Sequence, residues 1–299
     1  MLLDSKSLQD INSVVLTGLE PIWLTPEIDE ATGVPIGIPV AELERVLDQK
    51  PIALLLTEPG YLGTISELSA LIKKAHENSI PVIVDAAWGG CSQFSVEHRA
   101  LMDGVEFADS VCWDAHKMMG IPLVCSAFLV KDSEVLARVC AHGNVAHYLF
   151  HEESRNIDAG RYSLQCGRRN DALKLWLAWR ECGDAGWAAQ VDRYMDLAAH
   201  LESLVDAHPQ LEMMSSRMWT NVCFRLNPEG YTGELNELNS EVRKRLMHNG
   251  NFMVSRSNIG EDVIFRAVIA NPKINNTSLE RLAEEICALG DEVLRGLPN

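Results

Sequence analysis

The chain has 299 residues, of which 47% are hydrophobic and 23% are charged, so it can bury a core in one large or two modest domains. Its 42 acidic residues against 26 basic ones give a net charge of −16, which argues against nonspecific binding to nucleic acid or to anionic membranes. An anionic substrate is not excluded, because one buried arginine can outweigh a diffuse acidic surface.

The cysteines and the first residues indicate a compartment. Eight cysteines are spread along the chain without a CxxC pair, which favours reduced thiols in a cytosolic protein. The opening MLLDSKSLQD has neither the basic start nor the apolar stretch of a signal peptide. No apolar run approaches the roughly 20 residues that span a bilayer. We therefore expect a cytoplasmic protein with no membrane partner and no nucleic-acid partner.

The first part of the chain alternates between strand and helix patterns. The predicted elements are a strand at 52–57, an amphipathic helix at 65–78, and strands at 82–85, 110–113 and 123–130. A capping box from Thr64 to Glu67 is expected to start the helix. Such alternation predicts a mostly parallel sheet that is covered by helices on both faces.

The second part of the chain has a different pattern. The predicted elements are helices over 170–206, with a break near 183–186, and over 237–248 and 278–294, and strands at 218–226, 252–256 and 262–269. A second capping box, from Thr277 to Glu280, is expected to start the last helix. We predict a large domain over residues 1–205, including the connecting helices, and a smaller α/β domain over 206–299.

Two residues at strand ends could carry chemistry. Asp85 ends an apolar strand, where ligands of open α/β sheets bind; the alternative is a turn-forming aspartate. Lys117 follows the next strand among apolar neighbours, and lost hydration favours the neutral amine that condenses with a carbonyl; the alternative is a surface lysine. An aspartate followed 32 residues later by strand, His and Lys is the arrangement that pyridoxal 5'-phosphate (PLP) needs. The lysine bonds to the cofactor, and the aspartate keeps its ring nitrogen protonated.

Three histidines, His142, His147 and His151, invite a metal interpretation, but their spacings of five and four residues fit no common zinc pattern. The stretch HEESR lacks the second histidine of HExxH, and no GxxxxGK[ST] or GxGxxG motif is present. Arg168 and Arg169 could bind an anion, although a structural role near a subunit interface is favoured. We expect no metal site.

Several ordered stretches resemble one enzyme family. They are VDAAWGG (84–90), ADSVCWDAHKMMGIPLVCSAFLV (108–130), HYLF (147–150), LQCGRRNDALKLWLAWR (164–180), TNVCF (220–224) and FRAVIANP (265–272). From residue 81 to about 294, the chain resembles the glutamate decarboxylase-like group of PLP-dependent decarboxylases, which includes cysteine sulfinate decarboxylase. The resemblance implies the α/β fold of PLP-dependent transferases, fold type I (aspartate aminotransferase-like), with a mostly parallel sheet flanked by helices and a smaller C-terminal α/β domain.

The resemblance implies roles for residues around the cofactor. Lys117 bonds covalently to PLP and Asp85 pairs with the ring nitrogen. Ala87 packs its methyl group on one face of the ring, and His116 lies beside the phosphate or the ring. In this fold the site is shared between subunits, so a homodimer is expected.

Two further roles concern the substrate. Tyr148 resembles the mobile-loop tyrosine that protonates the substrate carbon after CO2 leaves; the alternative is an aromatic packing residue. Arg266 resembles the arginine that binds the distal carboxylate of the substrate, and a guanidinium grips a carboxylate through two parallel hydrogen bonds. The alternative is a salt bridge at the edge of the core. We therefore expect a carboxy-lyase that converts an acidic amino acid (glutamate, aspartate or cysteine sulfinate) to an amine and CO2.

The sequence departs from this family in three places. Residues 15–84, including LTEPGYLGTISEL (56–68), resemble bacterial ornithine, lysine and arginine decarboxylases instead, so a basic substrate is an alternative. The Ser/Thr loop that cradles the phosphate and the histidine that stacks on the ring are not visible before Asp85, and KSLQD (6–10) stands near the place expected for the histidine. Asp114 replaces an asparagine that many relatives carry.

These departures keep further alternatives open. We expect part of the large domain to be absent at the start, which makes an inactive remnant that serves dimerisation or regulation a second hypothesis. A different fold-type-I reaction, such as that of an aminotransferase or another lyase, is a third.

Overall fold

The computed structural model describes residues 1–3, 8–30, 32–140, 151, 153, 159–165 and 167–296. Within them, a six-stranded sheet in the first part of the chain is followed by a long helix and then by a four-stranded sheet. Over this described part of the chain, we find no helix with the length and apolar character needed to cross a membrane.

The strands of the first part are Leu2–Leu3 (β1), Ile22–Trp23 (β2), Glu27–Ile28 (β3), Pro35–Gly37 (β4), Leu54–Thr57 (β5), Val82–Asp85 (β6), Ser110–Asp114 (β7) and Ser126–Val130 (β8). Strands β3 and β4 form a separate hairpin, and the others form one sheet in the order β2-β1-β5-β6-β7-β8. Every neighbouring pair in this sheet is parallel except β7 and β8. Residues 115–125 form no helix that could carry a parallel crossover, so the chain returns antiparallel. The sheet is mostly parallel, as predicted.

The helices of the first part are Leu8–Thr17 (α1), Val40–Val46 (α2), Leu68–Glu77 (α3) and Glu134–Cys140 (α4). The helix α3 corresponds to the helix predicted at 65–78, and its apolar face is buried as predicted. The predicted capping box is wrong, because α3 begins at Leu68, three residues after the predicted start. The backbone N–H of Ser66 donates instead to both carboxylate oxygens of Glu58, at 3.2 Å each. The observed N-cap of α3, Glu67, has no side-chain cap hydrogen bond, and the Ser66 N–H bonds to a residue eight positions earlier in the chain.

The long helix Asp171–Ala207 (α5) connects the two sheets. Its bounds match the prediction, and so does the break, because Gly183 has φ 63° and ψ 177° inside it. A positive φ is accessible to glycine at little steric cost. The second half of the helix buries one face, which includes Trp187, Tyr194 and Leu201, so this half is anchored in the core.

The elements of the second part are Leu211–Met213 (β9), Asn221–Leu226 (β10), Leu235–Asn249 (α6), Ser255–Ile259 (β11), Asp262–Val268 (β12) and Asn276–Leu294 (α7). The strands form an antiparallel sheet in the order β11-β12-β10-β9. The second capping box is also wrong, because Asn275 is the N-cap of α7 and its side chain accepts the N–H of Ser278.

One large buried cluster joins the two parts. It contains Met118 and Met119 from the turn after β7, Trp187 from α5, and Phe224 and Phe265 from the second sheet. The predicted domain boundary at 205/206 falls near the C-terminal end of α5 and remains a prediction.

Candidate active site

Asp85 lies at the carboxyl end of β6, as predicted, and one of its carboxylate oxygens accepts the backbone N–H of Ala87 at 3.0 Å. Burial is the main cause that raises the pKa of Asp85, and the nearby carboxylates of Asp10 and Asp114 raise it further. The Ala87 N–H and the Lys117 ammonium act in the opposite direction. Asp85 and Lys117 therefore interact electrostatically at one site.

Lys117 lies in the turn after β7, where its apolar neighbours Met118, Met119 and Ile121 are buried and fix the backbone. Its own side chain is 37% exposed, and its Nζ lies 3.3 Å from Oδ2 of Asp114. The amine is thus in an ion pair at an accessible site, rather than in the dry apolar setting that the sequence suggested.

Asp114 organises this turn. Its Oδ2 lies 3.5 Å from Nε2 of His116 as well as close to the lysine, so the acid that departs from the family pattern faces two basic side chains. The other ring nitrogen of His116, Nδ1, lies 2.9 Å from the carbonyl oxygen of Cys125, and this contact fixes the position of the imidazole. His116 therefore lies beside Lys117, and its role toward a phosphate or a ring stays a prediction.

The loop after β6 approaches its neighbours closely. Ala87 is 6% exposed. A Cβ at Gly89 would lie 2.4 Å from Cδ of Pro59 and 2.7 Å from the carbonyl oxygen of Glu58. A Cβ at Gly90 would lie 2.7 Å from Cδ1 of Trp113. The two glycines therefore let this loop pack between the segments that follow β5 and β7.

Arg266, on β12, is held by two aromatic side chains from the first part of the chain. Its Nε donates to the carbonyl oxygen of Tyr61 at 2.6 Å. Its Cζ lies 4.1 Å from the ring centroid of Tyr61 and 5.1 Å from that of Trp88. Burial lowers the pKa of the Arg266 guanidinium. Trp88 follows Asp85 by three residues, so this clamp brings the arginine to the loop that carries the candidate cofactor aspartate.

The salt-bridge alternative for Arg266 is not supported. Within the described part of the chain, no carboxylate pairs with its guanidinium. A carboxylate supplied by a ligand would therefore meet no competing carboxylate from the described residues at this guanidinium.

Tyr148 lies outside the described residues, and so do His142 and His147. The role predicted for Tyr148 stays a prediction. Arg168 and Arg169 are exposed just before α5.

Sequence reasoning missed several residues of the site. Asp10 in α1 is 4% exposed, and its Oδ2 accepts the hydroxyl of Thr57 at 3.1 Å. Glu58 is 1% exposed and lines a cavity of about 260 Å³ together with Tyr61. A signal did exist for Thr57 and Glu58, because they follow a buried strand in the same way as Asp85. Nothing in KSLQD marked Asp10.

The tryptophan before the site turn belongs to an aromatic stack. Trp113 meets Phe94 edge to face at a centroid distance of 5.6 Å and Trp179 at 6.4 Å. Its indole N–H donates to Sγ of Cys91 at 3.2 Å. The strand end that precedes Lys117 is therefore rigidly packed against α5.

The chemistry of these groups fits PLP. Lys117 offers an accessible amine for the aldehyde, and Asp85 offers a half-buried carboxylate for a protonated ring nitrogen. Ala87, two residues after Asp85, carries only a methyl group, so its side chain is small enough to pack on a ring face. The part of the chain that the structure describes does not identify the loop that would hold the phosphate.

The class of protein follows from a family model. Residues 56–227 match the pyridoxal-dependent decarboxylase conserved domain, so the chain belongs to the pyridoxal-dependent decarboxylase family. The resemblance of residues 15–84 to bacterial basic amino-acid decarboxylases stays a prediction, and residues 15–55 of that stretch lie outside the family match.

Particular relatives refine this assignment. Human cysteine sulfinic acid decarboxylase is 33% identical over 245 residues, which cover 78% of this chain and 50% of that protein. Bovine acidic amino acid decarboxylase GADL1 is 31% identical over 245 residues, which cover 78% of this chain and 47% of that protein. The chain thus spans about half the length of the curated relatives it matches.

Solved structures confirm the fold class. The apo structure of mouse CSAD superposes with a TM-score of 0.86 at 28% identity, covering 97% of this chain and 63% of that one. Oryza sativa TDC with PLP and tryptamine gives a TM-score of 0.87 at 23% identity, covering 98% of this chain and 62% of that one. The α/β fold of type I, with its mostly parallel sheet, is therefore confirmed.

Proposed function

We propose that this chain decarboxylates an acidic amino acid, such as cysteine sulfinate, glutamate or aspartate, with PLP as its cofactor. The observation that carries the proposal is the Arg266 guanidinium, which is clamped by Tyr61 and Trp88 near Asp85 and has no carboxylate partner among the described residues. The named activities of the human and bovine relatives support the same substrate class.

The residues of the site divide the work. When bound, PLP supplies a protonated ring that accepts the electrons left on the substrate as CO2 departs. Lys117 would hold the cofactor covalently through Nζ, and Asp85 would hold the proton of the ring nitrogen by accepting its hydrogen bond. Ala87 would support one ring face. Placing the Asp85 charge in advance lowers the barrier, because the carboxylate need not reorganise during the reaction.

Arg266 would select and orient the substrate. Its guanidinium is fixed by the bond to Tyr61 and by two rings, so little side-chain entropy is lost when a carboxylate binds. A basic substrate would place like charge against it, which disfavours the alternative of ornithine, lysine or arginine. The predicted role of Tyr148, protonation of the substrate carbon, remains part of this proposal.

The first experiment tests cofactor binding. The protein is mixed with PLP, and a yellow complex that borohydride bleaches and fixes to the chain is expected. Lys117→Ala should lose the fixed adduct, and a variant that keeps it contradicts the assignment of Lys117. If the wild-type protein never takes up PLP, the result contradicts the proposed enzyme activity and supports the hypothesis of an inactive remnant.

The second experiment tests the reaction and its substrate. CO2 and amine release from acidic and basic amino acids is measured, and only the acidic ones are expected to react. Arg266→Lys keeps the charge but loses the planar fork, so kcat/KM should fall by about 10-fold or more if one two-point contact is lost. Release of a keto acid instead of CO2 would favour aminotransferase chemistry.

We also propose that the protein is a cytoplasmic homodimer. The family resemblance and the composition support this. Light scattering after size-exclusion chromatography would measure the mass in solution, and a monomer that decarboxylates would contradict the shared site. Fractionation of the source cells would locate the protein.

A further inference from the structure

A buried carboxylate that no predicted role uses lies next to the candidate cofactor aspartate. Asp10 is in the first turn of α1 and is 4% exposed. A buried carboxylate this close to a ligand site can influence the charge of the groups beside it.

One side chain links Asp10 to the site. The Thr57 hydroxyl donates to Oδ2 of Asp10 at 3.1 Å, and Thr57 is the residue of β5 that pairs in register with Asp85 of β6. Asp10 is therefore fixed over the carboxyl ends of the same two strands that carry the site.

The charges around this point are mostly negative. Besides burial, the carboxylates of Asp10 and Asp114 both disfavour the ionised form of Asp85, and Lys117 is the cation that opposes them. Cys112 is the register partner of Asp85 in β7, and the same charged groups act on its thiol. Burial is the main cause that raises the pKa of this thiol to about 12, the three carboxylates raise it further, and Lys117 lowers it.

We propose that Asp10 is a second carboxylate of the cofactor site, which acts through Asp85 to favour a positively charged ring nitrogen there. The proposal rests on the proposed function and deepens it. Two carboxylates that repel each other are both relieved when a cation binds beside one of them, so the second carboxylate strengthens the preference for the protonated ring. Asp10 is thus a positioning and electrostatic residue rather than a catalytic one.

The test uses Asp10→Asn in the full chain, because asparagine keeps the shape and still accepts the Thr57 hydroxyl. Asp48→Asn is the matched control, because this substitution makes the same change in side chain. Asp48 is exposed in a 3-10 turn that is distant in sequence from the site. The dissociation constant for PLP is measured against pH, and the protonation of bound ring-labelled PLP is read from its nitrogen-15 chemical shift. Asp10→Asn should weaken PLP binding about tenfold, the effect of one pKa unit, and shift deprotonation of the ring to lower pH.

A second measurement needs no cofactor. Because the pKa of Asp85 is raised in the folded protein, the folded state loses stability as pH rises from the usual range of an aspartate through that pKa. Removing the Asp10 charge should lessen this loss, so the melting temperature of cofactor-free Asp10→Asn should exceed that of Asp48→Asn at pH 7, by a margin that shrinks toward pH 4. A merely structural role for Asp10 would lower the melting temperature by a similar amount at every pH.

The outcomes separate the two proposals. The role of Asp10 is overturned if Asp10→Asn matches the control in its affinity for PLP, in the protonation of the bound ring and in the pH dependence of its melting temperature. If the wild type takes up no PLP, the proposed function fails, and the cofactor-free comparison alone then supports or overturns the coupling of Asp10 to Asp85.

Discussion

At the scale of single residues, Glu58 has an unusual environment for a carboxylate. Its side chain is buried, and among the described residues Ser66 alone supplies its hydrogen bonds. Burial outweighs those bonds and raises the pKa of Glu58 to about 7. The folded protein therefore holds a proton on Glu58 in a pH range in which the unfolded chain has lost it.

This proton makes stability depend on pH. Between the usual pKa near 4.5 and the folded pKa of about 7, stability falls as pH rises, because the folded state binds more protons. Glu58→Gln removes the titration and should be more stable than the wild type at pH 8, by up to about 3 kcal/mol. Urea unfolding at pH 5 and pH 8 measures this, with the exposed Glu229→Gln as control. An equal pH dependence in both variants would show that Glu58 does not titrate in this range.

Trp88 is the second residue whose role can be isolated. Its ring faces the Arg266 guanidinium at 5.1 Å. A cation–π contact of this kind is worth about 1–2 kcal/mol when partly desolvated, so Trp88→Ala should raise KM for an acidic substrate by about 10-fold. Trp88→Phe keeps a ring and should recover most of the affinity. Trp176→Ala, at an exposed position, is the control; equal KM values for Trp88→Ala and this control would contradict the clamp.

At the scale of elements, hydrophobic patterns predicted what is local. The strand at 82–85 and the long helix with its break at Gly183 follow from apolar runs, helical spacing and one glycine. The start of α3 could not be predicted, because the Ser66 N–H is taken by Glu58 rather than by a neighbouring side chain.

The same limit applies to the site. Asp85 and Lys117 were accessible from the sequence because strand ends and motif spacing mark them. The clamp on Arg266 was not, because its partner Tyr61 lies 205 residues away along the chain. Asp10 shares this property, since only the fold brings α1 to the end of β5.

The true N-cap of α7 gives a prediction at this scale. Asn275 accepts the Ser278 N–H at 2.9 Å, whereas the sequence had favoured Thr277. Loss of such a cap costs about 1 kcal/mol, so Asn275→Ala should lower the free energy of unfolding by about that amount. Thr277→Ala should change it little. Chemical denaturation measures the free energy of unfolding of both variants. A larger loss for Thr277→Ala than for Asn275→Ala would support the capping box that the sequence predicted.

At the scale of the whole molecule, the strands β1, β5 and β6 of the first sheet have a buried cluster of their own, whereas a second cluster is shared between the two parts of the chain. The turn that carries Lys117 contributes Met118 and Met119 to the same buried cluster as Phe224 and Phe265 of the second sheet. The geometry of the site thus depends on packing across the predicted domain boundary.

We therefore expect one cooperative unfolding transition for the full chain. Calorimetry should give equal calorimetric and van't Hoff enthalpies, because the shared cluster cannot be exposed on one side alone. Tryptophan fluorescence and far-ultraviolet circular dichroism should report the same midpoint. Two resolved transitions would indicate that the parts before and after α5 fold independently.

The packing of Trp113 also provides a built-in optical reporter. The indole belongs to the last residue but one of the strand that leads to Lys117, and it packs against Phe94 and Trp179. A chromophore bonded to that lysine would sit within range for excited-state energy transfer from this ring. Titration with PLP should therefore quench the protein's own emission, and uptake can be followed in real time without an attached dye.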